Sequence, residues 1–215
     1  MTCYIRLHEV FAGMTRKPAE IDWSRAFRTW QEATTVADRE AVLAAIGLEP
    51  VDVYDLPSAD LSKYGAFIVS DRVDQEFLFE QRGVVMDYLD QGGVMVVSGE
   101  LFRPWLPGAT DFALKEPAAP DAVRFDSPSH PLLDGFRVED LGAGFVYGSH
   151  TAPQGAEVLV TAPDGRPAVY VDRETTGGTI MLHAGHTLLG YATGTGPSQR
   201  LVPQLMQWMA AEAAK

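Results

Sequence analysis

The sequence predicts an α/β fold with a mostly parallel central sheet. Three consecutive stretches carry this reading. "YGAFIVSD" holds a short apolar run, Ala66 to Val69, between Gly65 and the polar pair Ser70-Asp71. A strand buried on both faces looks like this, because neither face can afford polar side chains. "DQEFLFEQRGVVMDYLDQGG" then spaces Phe77, Val84 or Val85, Tyr88 and Leu89 at helical intervals and stops at Gly92-Gly93. "VMVVSGE" follows as a second buried run and opens on Ser98-Gly99-Glu100. The order β–α–β is the signature of parallel strands joined by crossover helices.

The remaining elements are read in chain order. "CYIRLHEVF" is apolar and rich in β-formers and predicts a first strand. "AGMTRKPAEID" is polar, contains Gly and Pro, and reads as a loop. From Asp22 to Gly47 the chain is helical, with Asp22 or Ser24 as the cap and Gly47 as the stop. Trp23, Phe27 and Trp30 share one helix face, and the polar "EATT" divides the segment into two helices. "PVDVYDL" predicts a second strand. After Glu100 the many Pro and Gly residues predict loops and small strands. "AEVLVTAPDGRPAVYVDRETTGGTIMLHAGH" then reads as three strands with turns at "PDG" and "TTGG", a β-rich C-terminal extension. Leu201, Leu205, Trp208 and Met209 line one face of a C-terminal helix, with Pro203 in its tolerant first turn.

Bulk properties bound the function. The 215 residues suit one domain, spanning 1–215, and at 46% apolar and 21% charged they are ordinary for a globular chain. The formal charge of −12 repels phosphate backbones and anionic lipid, which argues against nucleic acid and membrane surfaces as partners. Cys3 is the only cysteine, so no internal disulfide forms and a zinc cluster would lack its thiolates. This fits a reducing cytoplasm. No signal-peptide pattern is seen, and nowhere do about 18 apolar residues run together.

In an open α/β sheet, ligands collect beyond the C-terminal ends of the parallel strands. Those ends are expected to bring together His8 and Glu9, Ser70 and Asp71, Ser98, Gly99 and Glu100, and His183 and His186. Ser98 at a strand-to-turn bend has the placement of a nucleophile, with a histidine as base and a carboxylate to orient it. Against this, "VVSGELFRPW" is not G-x-S-x-G, and a plain turn also explains it. His183-x-x-His186 with Glu100 or Asp71 offers metal ligands, although this spacing on a strand is not diagnostic. His130 reads as a turn cap and His150 as a surface residue. Ser198 reads as the N-cap of the last helix. Phe102 and Trp105 either line a pocket or close the core. Neither a P-loop nor G-x-G-x-x-G occurs, and no cofactor is expected.

Four pieces, in order, resemble the class I glutamine-amidotransferase-like superfamily, most closely its ThuA-like branch. "YGAFIVSD" is similar to a "yD-l-v" strand and "VMDYLDQGGVMVVSG" to "yV-x-x-GG-x-l-v". "SHPLLDGF" resembles "HPi-x-x-Gl", and "GGTIMLHAGH" resembles a run ending in GH, with Gly185 and His186 as its last residues. The resemblance covers roughly 51–215 and implies a flavodoxin-like three-layer sandwich. True amidotransferases would also carry a Cys-His-Glu triad, but here the elbow holds Ser98-Gly99 and no "H-P-E" follows the last strand. Cysteine thioester chemistry is therefore not expected. Two functions fit these residues. One is a protein that binds a small polar ligand such as a carbohydrate, or serves as an assembly subunit or homo-oligomer. The other is a hydrolase or related enzyme of carbohydrate or amide metabolism. It would use His186 with Ser98, Glu100 or a metal as catalytic groups, and Asp71, Ser70, Gly99 and His183 to bind its ligand.

Overall fold

The computed structural model describes residues 3–8 as backbone, together with 21–114, 122–142, 144–193 and 196–215. Eight strands form one sheet in the order β2-β1-β3-β4-β10-β9-β8-β6. They are β1 Cys3–His8, β2 Leu48–Asp52, β3 Tyr64–Val69, β4 Val94–Ser98, β6 Arg124–Phe125, β8 Glu157–Thr161, β9 Pro167–Asp172 and β10 Thr179–His183. β5 Thr110–Leu114 and β7 Gly148–Thr151 form a separate antiparallel pair.

The predicted β–α–β unit is present. Between β3 and β4 the helical stretch is broken at Gln81 into α3 Gln75–Glu80 and α4 Arg82–Asp90. The Asp74 side chain caps α3 by accepting from the Phe77 amide. The stretch after Asp22 likewise divides into α1 Trp23–Glu32 and α2 Val36–Ala45. Asp22, not Ser24, caps α1, and Thr35 caps α2. The final helix, α5, spans Leu201–Ala213. Its cap position is Arg200, whose side chain makes no capping hydrogen bond, so Ser198 does not hold the predicted N-cap.

Two apolar layers sandwich the sheet. On one face Ala66, Ile68, Val94, Val96 and Met181 pack with Trp23 and Phe27 of α1 and Leu205 and Trp208 of α5. On the other, Phe67, Val69, Met95, Val97 and Leu182 pack with Leu78 of α3 and Val85, Tyr88 and Leu89 of α4. Period-2 alternation sends neighbouring residues to opposite cores. That is why the central positions of β3, β4 and β10, between their end residues, are apolar. Each such side chain contributes roughly 1.5–3 kcal/mol on burial.

Two expectations are corrected here. The sheet is mixed, not mostly parallel, since only β3–β4 and β4–β10 pair in parallel and the other described pairings are antiparallel. β8, β9 and β10 are not an appended extension, because they continue the central sheet itself. The direction of β1 matters most for the site. It runs antiparallel to β3 with His8 beside Tyr64, which puts His8 at the edge opposite Asp71. Glu9 lies outside the described residues.

Candidate functional site

The parallel trio β3, β4 and β10 ends on one edge. The ladder pairs Val69 with Val97 and His183 with Ser98, so the three chains leave the sheet side by side. Gly99 then turns the chain, its amide donating to the His183 carbonyl at 2.8 Å. Its φ is +100°, and a Cβ there would lie 2.7 Å from the Asp71 Cα and 2.8 Å from the Asp71 Cβ. Glycine is thus required twice, for the backbone angle and for the close approach of the β3 loop.

That approach presents Asp71 to the loop after β10. Thr187 Oγ donates to Asp71 Oδ1 at 2.6 Å and accepts from the Asp71 amide at 3.1 Å. His186 Nδ1 lies 3.0 Å from Asp71 Oδ2, so Nδ1 is the donor and the ring is held in one tautomer. The Asp71 side chain is only 14% exposed, whereas that of His186 is 64% exposed. Burial works to raise the Asp71 pKa, but the Thr187 hydroxyl and the His186 ring outweigh it and hold the carboxyl below its usual range. A buried, oriented carboxylate thus carries an outward-facing imidazole, the geometry that lets a histidine accept or donate a proton at Nε2.

Tyr147 completes this edge. Its ring lies 5.0 Å from that of His186. Burial first, then the charges of Asp71 and Glu100, push the phenol up to about 12, so at neutral pH it is an uncharged donor. Glu100 itself is exposed. The buried amide of Gln75 fixes its loop, donating to the Glu100 carbonyl at 2.7 Å and accepting from the Phe102 amide at 3.0 Å.

Asp71, Gly99 and His186 therefore meet, with Glu100 next in sequence and Ser70, half-buried, one residue before Asp71. Ser98 and His183 sit beneath them. Ser98 is 2% exposed, and its hydroxyl finds no partner among the described residues, so Ser98 presents no exposed nucleophile at this edge. His183 is fully buried and donates from Nε2 to the Phe145 carbonyl at 2.6 Å. Burial pushes its pKa down to about 4, which keeps it neutral. Gly185 passes so close to that carbonyl and ring that no side chain fits. The His183–His186 metal arrangement is not formed, and among the described residues no group of three or more His, Cys, Asp or Glu can hold a metal ion.

His150 also departs from its expected surface position. It is fully buried, with Nε2 donating to the Gly99 carbonyl at 3.1 Å and its pKa driven down to about 4, first by desolvation. His130 is a turn cap, its Nδ1 accepting from the Leu132 amide at 3.2 Å. Trp105 belongs to the core and Phe102 does not. Sequence reasoning did not find Tyr147, Thr187 or Gln75. Thr187 had a signal, since it directly follows the Gly185-His186 pair; the other two lie in segments without a motif.

Fold and site together define an α/β protein with a cluster of polar, titratable side chains at the ends of its parallel strands. No protein-family model and no curated protein matches the chain. The fold is shared with solved structures. A ThuA-like protein from Bacteroides uniformis superposes with a TM-score of 0.50 over 91% of this chain and 87% of its own, at 15% identity. A cytoplasmic protein from Salmonella typhimurium gives 0.52 over 73% and 78%, also at 15% identity. The fold is thus ThuA-like. Among the described residues no helix is long and apolar enough to cross a membrane.

Proposed function

We propose that this chain is a non-amidotransferase member of the class I glutamine-amidotransferase-like superfamily, in its ThuA-like branch. It would form a single flavodoxin-like domain over 1–215 that binds a small, polar, hydroxyl-bearing ligand such as a carbohydrate. The observation that carries this reading is the Asp71–His186 pair with Thr187 at the shared edge of β3, β4 and β10. His186 offers an exposed ring nitrogen, Glu100 an exposed carboxylate and Tyr147 a phenol, donors and acceptors of the kind that grip hydroxyl groups. Ser70 and Gly99 line the same edge, while Ser98 and His183 support the bend from below. Thioester chemistry has no nucleophile here, since Cys3 is the only cysteine and lies on β1. A cytoplasmic location accords with this cysteine usage and with the Salmonella neighbour's description. Nucleic acid and membrane surfaces do not fit the charge of −12.

A second reading has its own observation. Asp71 orients the His186 imidazole much as a carboxylate orients a general base, which favours a hydrolase acting through bound water. Titration calorimetry against a panel of neutral mono- and disaccharides tests the main reading. Binding weakened at least tenfold by both His186→Gln and Asp71→Asn supports it. Binding that neither substitution alters sinks it. Turnover of a bound sugar that His186→Gln abolishes moves the assignment to the hydrolase. Light scattering measures whether the chain forms the homo-oligomer that an assembly role requires.

A further inference from the structure

A cleft of about 410 Å³ lies beside this edge and is formed by two chain segments. The loop after β4 contributes Phe102 and Pro104, β5 contributes Phe112, and Leu101 and Ala109 are buried at its base. Its volume falls within the usual range of small-molecule pockets. Phe102 is 64% exposed, an unusual position for an aromatic ring, yet its backbone is not free to swing. The buried Gln75 amide holds the Glu100 carbonyl and the amide of Phe102 itself, and Arg103 Nε donates to Glu76 Oε1 at 2.6 Å one residue on. The facing segment is held as well. Asp111 has φ +50°, and Arg166 bonds both its carbonyl, at 2.5 Å, and the Thr151 hydroxyl, at 3.0 Å. A strained residue held by a neighbouring side chain, opposite a water-exposed ring on a clamped loop, is the construction of a preformed binding wall.

A chain of ring contacts links the cleft to the Asp71–His186 edge. Phe112 lies 6.1 Å from the Tyr147 ring, edge to face, and Tyr147 lies 5.0 Å from His186. A ligand whose polar head meets His186 therefore extends across Tyr147 toward Phe112 and Phe102. The charged residues at the cleft are one cation and one anion, Arg103, already paired to Glu76, and Asp111. Arg103 is committed to Glu76, so the described lining holds no unpaired cation for an anionic group.

Resting on the proposed polar-ligand reading, we infer that this cleft is an apolar subsite of the same site, and that the natural ligand joins a hydroxylated head to an uncharged ring. The head occupies the His186 edge, and the ring lies between Phe102 and Phe112. Offset or edge-to-face contact with the two phenylalanines supplies binding that the head alone lacks.

The test uses the full chain with phenyl β-glucoside as probe, and glucose and phenol as its two halves. Saturation-transfer NMR is expected to mark the phenyl protons, and phenyl glucoside is expected to bind more tightly than glucose. Phe102→Ala removes an exposed ring and leaves the fold intact. It should weaken phenyl glucoside about 3- to 10-fold and leave glucose unchanged, and Phe102→Tyr should restore the loss. If the probe's phenyl protons receive no saturation at millimolar concentration, or if Phe102→Ala does not alter its affinity, the subsite is refuted. Glucose binding that still depends on His186 would then leave the head site standing. Phe102-dependent binding of phenol and phenyl glucoside, with no contribution from His186 or the sugar, supports the cleft and overturns the head site.

Discussion

Removing the Arg173 guanidinium is predicted to loosen the C-terminal helix against the sheet. Glu212 of α5 is only 7% exposed. Arg173 grips its carboxylate with two nitrogens, Nη2 to Oε1 at 2.9 Å and Nε to Oε2 at 3.1 Å, and Lys215 adds a third contact at 2.9 Å. Burial alone would raise the carboxyl's pKa, but Arg173 and Lys215 reverse this and hold it near 2, against an ordinary 4.5. At about 1.4 kcal/mol per unit, that gap is worth roughly 2–3 kcal/mol once solvent screening of the one-third-exposed Arg173 is allowed for. The folded pKa is the lower one, so this stability is complete above the unfolded value. It is lost as pH falls from about 5 toward 2, with more than half gone by about pH 3. Arg173→Met keeps the apolar stem and leaves a buried carboxylate with Lys215 as its one charged partner among the described residues, beside a long contact from the Thr179 hydroxyl. A loss of about 3 kcal/mol at pH 7 is expected, or roughly 6–12 °C in Tm for a chain of this size. Urea denaturation of both proteins at pH 7 and pH 3 measures it. A difference of the same size at both pH values, or one below about 0.5 kcal/mol at pH 7, would refute the assignment of this stability to the ion pair.

Three further predictions concern the site. Gly99→Ala introduces a methyl group where φ is +100° and the Asp71 backbone is 2.7 Å away, so a loss of about 1–3 kcal/mol and a displaced Asp71–His186 contact are expected by thermal melting and imidazole NMR. Gln75→Leu strands the Glu100 carbonyl and the Phe102 amide, which should cost about 2–4 kcal/mol and accelerate hydrogen exchange at Phe102. Thr187→Val removes a donor that helps keep Asp71 ionised, so the Asp71 carboxyl should titrate at higher pH than in the native chain. The Asp71 contribution to stability, present at neutral pH, should then fade earlier on acidification, a shift read by carbon-detected NMR.

Much of the fold was legible from local pattern. Continuous apolar runs marked β3 and β4 because both faces are buried, and the caps at Asp22 and the stop at Gly47 follow from unsatisfied backbone groups at helix ends. Asp71, Gly99 and His186 were legible as a group only through the rule that polar residues collect where parallel strands end. The same rule misplaced His8, because a strand's own residues do not state its direction beside a neighbour. It also took no account of face. Ser98 and His183 follow the alternation that points inward, and the residues just past the strand ends are the ones freed from it.

The sequence by itself determined the helices, the buried strands, the absence of a second cysteine and the glycine needed at the bend, all properties of neighbouring residues and their periodicity. Only the tertiary structure decided that Asp71 bonds His186, 115 residues away, that His150 is a buried support and not a surface group, and that Phe102 stands exposed on a clamped loop. Those outcomes depend on strand direction and on which segments pack over the edge. Long-range packing selects them, and short-range periodicity carries no information about it.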